Sequence, residues 1–110
     1  MSYQWFVEPR GDVTHANEMI AKNLGVGADD TDRMNSGLRC KDGKTRKAWR
    51  CSFDEAHRLW DSRGSLGIEI EVWCRKDNGP AYIPKFLLSH HRRPTLRQLA
   101  RAKVLSRVTA

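Results

Sequence analysis

Long apolar runs are missing from this chain of 110 residues. No stretch approaches the roughly 18 apolar residues that a membrane-crossing helix needs. The opening Met1-Ser2-Tyr3-Gln4-Trp5 also lacks the basic-then-apolar layout of a secretion signal. The expected location is therefore the cytoplasm, or the nucleus of a eukaryote. Cysteine is sparse: Cys40, Cys51 and Cys74 are odd in number and have no zinc-knuckle or redox spacing. They are expected to be reduced and to pack as small hydrophobes. A zinc site joining them to His90 or His91 is the alternative; the histidine pair reads as part of a solvated linker.

Catalytic and cofactor signatures are lacking too. Gly25 and Gly27 are followed by neither the lysine nor the helix of a phosphate loop. Ser65, near Gly64 and Gly67, has no nucleophile-elbow pattern. Asp29, Asp30 and Asp32 suggest calcium, but no EF-hand register fits. The sixth and twelfth positions would be Met34 and Cys40, or Asn35 and Lys41, instead of glycine and an acid. His57 can be paired on paper with Cys51 or Asp54, but spacing alone does not bring a base to a nucleophile. It is read as a helix-surface residue. Arg10-Gly11-Asp12 is read as a turn; as an integrin ligand it would have to be exposed and extracellular. The expectation is a non-enzymatic protein with no cofactor and no metal.

The last absence is the most informative. All 13 acids fall within residues 1–77, where 13 lysines and arginines balance them. Residues 78–110 hold Lys85, Arg92, Arg93, Arg97, Arg101, Lys103 and Arg107 and no acid. A neutral body thus carries a cationic end, which points to an anionic partner: nucleic acid, an acidic protein or a membrane surface. The alternative is a solvated basic helix that aids solubility.

Hydrophobic content of 39% is enough for a folded domain. Residues 3–8 are aromatic and β-branched and read as a strand ending at Pro9. Asp12 or Thr14 caps a helix whose face is Ala16, Met19, Ile20 and Leu24, and Gly25 stops it. Residues 34–40 and 46–52 form a hairpin around Asp42-Gly43. A two-residue turn would set Leu38 opposite Lys47 and Ser36 opposite Trp49. Ser52 and Glu55 make a capping box for a second helix, with Phe53, Ala56, Leu59 and Trp60 buried and Gly64 at its end. Residues 66–75 alternate: Leu66, Ile68, Ile70, Val72 and Cys74 on one side, Glu69, Glu71, Trp73 and Arg75 on the other. A turn at residues 77–80 returns the chain through residues 81–87, an edge strand because it contains Pro84. After a polar linker, residues 95–108 read as a helix with a narrow stripe that includes Leu96, Leu99 and Val104.

This order predicts an α+β fold of the ferredoxin-like βαββαβ kind: an antiparallel sheet with both helices on one face, an extra C-terminal edge strand and a basic tail helix. Residues 1–88 would be the compact domain, and residues 89–110 the linker and tail.

Residues 44–56 (KTRKAWRCSFDEA) resemble the third-strand signature of the RNA-recognition motif, without its glycines. That resemblance implies base stacking on the open sheet face. The hairpin register, however, places Trp49 with Leu38 and Cys51 on the helix-covered side. The open face would carry Phe6, Arg39, Arg46, Arg50, Trp73 and Arg75, interleaved with Glu8, Glu69 and Glu71. Residues 95–100 are similar to the first helix of a helix-turn-helix, but no second helix has room to follow. Continued to Val104, they are similar to the docking helix of suppressor-of-cytokine-signalling boxes, with Ala100 where cysteine is usual and the rest of the box absent. No function is carried over from these.

The function expected from the residues is binding of nucleic acid with little sequence specificity, through Arg92, Arg93, Arg97, Arg101, Lys103 and Arg107. The alternative is a protein-interaction module, an adaptor or inhibitor, that lays Leu96, Leu99 and Val104 into a partner's groove.

Overall fold

A computed structural model describes residues 2–85. The proposed linker and tail, including Arg92 to Arg107 and the Leu96, Leu99, Val104 stripe, lie outside the described residues. Among the described residues the elements are β1 (Tyr3–Arg10), α1 (Val13–Leu24), β2 (Met34–Arg39), β3 (Thr45–Cys51), α2 (Phe53–Leu66) and β4 (Glu69–Lys76). The strands form one antiparallel sheet in the order β2-β3-β1-β4. No helix among these residues is long and apolar enough to cross a membrane.

Local chemistry sets the element ends. The Asp12 carboxylate accepts from the His15 amide and caps α1, and Gly25 closes that helix in the left-handed region. Ser52 Oγ accepts from the Glu55 amide while Glu55 Oε1 accepts from the Ser52 amide, completing the capping box of α2. The second helix does not end at Gly64. It runs on to Leu66, and Gly67 at φ 66° is its left-handed cap. The last strand accordingly starts at Glu69, three residues later than its alternation suggests. Strand β1 continues through Pro9 to Arg10. Pro9 lies past the last β1–β3 partners, Val7 and Trp49, so its missing N–H breaks no ladder bond there.

Two apolar clusters lie on opposite faces of the sheet. Val7, Trp49, Cys51, Ile70 and Val72 meet Ala16, Ile20 and Leu24 of α1 and Ala56, Leu59 and Trp60 of α2. Both helices therefore pack on one face. Phe53 is the exception to the predicted stripe: it is largely exposed and meets Trp5 edge-on at 5.0 Å. Phe6, Leu38, Cys40, Ala48, Trp73 and Ala81 form the second cluster on the other face.

Leu38 reverses its expected side. Cys40 donates to the Lys44 carbonyl, so the turn has three residues, Lys41, Asp42 and Gly43, and Leu38 pairs with Arg46 instead of Lys47. That one-residue change of register turns Leu38 away from Trp49, and beyond it a bulge sets Ser36 and Gly37 opposite the single Lys47, so that Met34 pairs with Trp49.

Among the described residues, the chain after β4 makes isolated bridges to both outer strands and no ladder along one edge. Cys74 and Tyr82 exchange both backbone hydrogen bonds at 2.8 Å. One residue earlier, Ala81 bonds Arg39 and Lys41 just past β2. The dipeptide Ala81-Tyr82 thus joins the two outermost strands, like a clasp, with Ala81 fully buried beneath the second cluster. The sheet face opposite the helices is covered at its centre.

Candidate functional site

The covered face defines which side chains are available. Phe6 and Trp73 do lie on it, but they are only 1% and 6% exposed. They are core residues and cannot serve as stacking platforms for bases. Arginines lie over them: the Arg46 guanidinium is 4.5 Å from the Trp73 ring and that of Arg75 is 5.0 Å from Phe6. Arg39 pairs with Thr45, one position out of phase with Leu38 and Arg46, so it belongs to the opposite face.

The charges on this face are segregated, not interleaved. Cross-strand partners run Arg10 with Glu69, Glu8 with Glu71, Phe6 with Trp73 and with Arg50, and Gln4 with Arg75. All the acids of these pairs fall at one end. There Glu8 and Glu71 sit directly opposite each other, which is unfavourable unless a cation bridges them. Arg10 does so, at 3.9 Å from Glu8 and 4.0 Å from Glu71. Arg46 adds a contact to Glu8 at 3.5 Å and a two-pronged bond to Asp42 at 2.6 and 2.9 Å. The hydrogen bonds from Arg46 hold the Asp42 carboxyl well below the usual carboxylate range.

The other end is cationic. A cleft of about 370 Å³ is lined by Gln4, Phe6, Asp32, Arg33, Met34, Asn35, Ser36, Arg50 and Arg75. That lining includes three arginines and one acidic residue, Asp32. Arg33 comes from the loop before β2 and is anchored to Glu55 Oε1 at 3.1 Å, while its backbone carbonyl accepts from the Arg50 amide at 2.6 Å. Arg75 is held by a hydrogen bond from its Nε to Gln4 Oε1. The Asn35 side-chain oxygen accepts from the Gly37 amide at 2.9 Å. Sequence reasoning placed Arg50 and Arg75 on this face but missed Arg33, which the loop before β2 brings to the cleft.

The residues considered for catalysis are dispersed. His57 Nδ1 lies 3.0 Å from Asp61 on exposed α2 surface, in an open groove of about 700 Å³ that Phe53, Asp54 and Arg58 also line. Cys51 is buried in the helix-side core, and burial pushes its thiol up to about 12. Burial likewise raises Cys40 and Cys74. All three thiols are protonated core groups at neutral pH. Asp30 serves its own loop by accepting from the Asp32 amide at 2.9 Å. Among the described residues no three His, Cys, Asp or Glu side chains converge as a metal site.

An apolar groove of about 380 Å³ adjoins the point where the described chain ends, lined by Tyr3, Trp5, Cys74, Tyr82, Pro84 and Lys85. No protein-family model, curated protein or solved structure matches the chain.

Proposed function

We propose that this chain is a non-enzymatic binding protein whose basic C-terminal segment engages nucleic acid with little sequence specificity. The observation that carries this reading is the charge partition: 13 acids and 13 bases in residues 1–77, then seven bases and no acid. The body supports it, because Glu8, Asp42, Glu55 and Glu71 are already engaged by Arg10, Arg33 and Arg46 within the domain. Those four carboxylates are therefore less available to the C-terminal cations. Arg92, Arg93, Arg97, Arg101, Lys103 and Arg107 are assigned phosphate contacts. The scaffold is read as a ferredoxin-like sandwich, a reading supported by the βαββαβ element order and by helix packing on one sheet face.

The test is binding of a labelled oligonucleotide across a salt series, by the full chain and by a truncation after Ser89. The truncation removes six positive charges and no negative ones. Affinity of the full chain should fall steeply with salt as neutralised phosphates release counterions. The truncated chain should stay folded, lose most binding and show a shallower slope. Full binding by the truncated chain would exclude this reading.

The second reading is an adaptor or inhibitor docking through Leu96, Leu99 and Val104. The exposure of Tyr3, which lines the apolar groove, and of Phe53, which meets Trp5 of that groove, favours it, since both suit a protein partner. Replacing Leu96, Leu99 and Val104 with polar residues should abolish such docking and leave nucleic-acid binding largely intact.

A further inference from the structure

The cationic cleft belongs to the folded domain and is distinct from the C-terminal segment. We infer that it is a phosphate subsite, formed by Arg33, Arg50 and Arg75 with Asn35 and Ser36, that takes one phosphate ester of a nucleic-acid backbone. The inference rests on the nucleic-acid reading for the source of the phosphate, and on the cleft's geometry for the chemistry.

Three observations support it. First, the glutamates that would repel an anion on this face stand at its far end, where Arg10 and Arg46 engage them. Glu55 is not in the cleft lining and holds the Arg33 guanidinium in place at 3.1 Å. Against Asp32 alone in the lining, the arginines of the cleft leave a positive balance. Second, two of the three guanidiniums are already oriented, Arg33 by Glu55 and Arg75 by Gln4 and the Phe6 ring. An anion entering there loses less side-chain entropy than one captured by mobile surface cations. The planar fork of arginine also matches the geometry of phosphate oxygens. Third, the cleft is mostly polar in its residues, with Gln4, Asn35 and Ser36 beside the arginines. Its aromatic floor, Phe6, is sealed in the core. Such a surface reads backbone charge and not base identity, in keeping with low sequence specificity.

The test uses the full chain in two arms. In the first, inorganic phosphate and, separately, thymidine monophosphate are titrated while backbone amide NMR signals are followed. Saturable shifts centred on Asn35, Ser36 and Arg50, lost in the Arg50→Gln/Arg75→Gln double variant, support the subsite. Their absence overturns it. In the second arm, a labelled oligodeoxythymidylate is bound by the unaltered chain, by the double variant and by a Lys22→Gln/Lys44→Gln control of equal charge change. Loss of charge-assisted hydrogen bonds predicts about tenfold weaker binding for the double variant. Its salt slope should become shallower by about 0.7, the value for one phosphate on a single strand. Equal loss in the control overturns the cleft, since net charge alone would then suffice.

The two readings fail in different ways. If the unaltered chain binds no oligonucleotide, the nucleic-acid reading falls and the strand is not the source. Shifts confined to the cleft would then keep the phosphate chemistry and assign it to a small phosphate ester. Denaturation midpoints of all variants are compared first. If Arg75→Gln unfolds the chain, the exposed Arg50 is replaced alone, and Arg50→Gln is held to the same criteria.

Discussion

Trp73 of β4 donates its indole N–H to Glu8 Oε1 of β1 at 3.0 Å, beneath the guanidinium of Arg46. This bond gives a buried aromatic a polar partner at the edge of the second cluster. Removing the indole removes both the bond and the volume. Trp73→Phe is expected to cost about 1–2 kcal/mol through the lost hydrogen bond to Glu8 and the lost volume. Trp73→Ala is expected to cost about 3–5 kcal/mol. Urea unfolding midpoints check both, and equal costs would show that the cluster does not depend on the ring.

The two faces of β4 make a sharper comparison. Ile70 is buried under the helices and Glu69 is exposed. Ile70→Ala should cost roughly 2–5 kcal/mol as a large-to-small change in a core. Glu69→Ala should change stability by no more than about 0.5 kcal/mol. Guanidinium unfolding of the pair tests the face assignment.

Glu55 joins stability to pH. Burial raises its carboxyl, but the bonds from Ser52 and Arg33 outweigh this and hold it below its ordinary value of 4.5. A depressed folded value means that the contribution is fully present above 4.5 and is lost as pH falls through the lower folded value. Glu55→Gln should therefore be less stable than the unaltered chain near neutrality, with the gap narrowing at acid pH. Ser52→Ala should cost about 1 kcal/mol by removing the acceptor for the Glu55 amide. Thermal unfolding over an acid-to-neutral pH series measures both, and a pH-independent gap for Glu55→Gln would contradict the linkage.

Truncation after Gly79 removes Ala81 and Tyr82, whereas truncation after Ser89 keeps them. Without them, Leu38, Cys40 and Trp73 lose their cover, and the backbone groups of Arg39, Lys41 and Cys74 lose partners. The shorter chain should be markedly destabilised, and its Cys40 thiol should become accessible to a thiol reagent under native conditions. A slow Cys40 reaction in both truncations would show that the cover lies elsewhere.

Much of the scaffold was legible because its signals are local. Ser52 with Glu55, Asp12, Gly25 and the alternation from Ile68 to Cys74 each depend on a few neighbouring residues. What escaped depended on distant ones. Leu38 changed sides because the turn around Asp42-Gly43 takes three residues where a two-residue turn was expected, and one residue of register flips a side chain to the other face. The second helix passed Gly64 because one glycine costs only about 1 kcal/mol, which packing can offset. Phe6 and Trp73 were expected on an open face. They are buried because Leu38, Cys40, Ala48 and Ala81 pack around them and Arg46 and Arg75 lie over their rings. The cleft was half legible: strand parity put Arg50 and Arg75 together, but only the folded loop brings Arg33 beside them.

The Ala81-Tyr82 clasp has a consequence for association. Outer strands offer unpaired backbone groups that recruit strands from other molecules. Here a single dipeptide occupies such groups at Cys74 on one outer strand and at Arg39 and Lys41 on the other side. At that end of the sheet neither border can accept a foreign strand without first displacing Ala81-Tyr82. Protection against aggregation and closure of the second core are thus one act of folding, and a lesion that loosens the clasp should release both together.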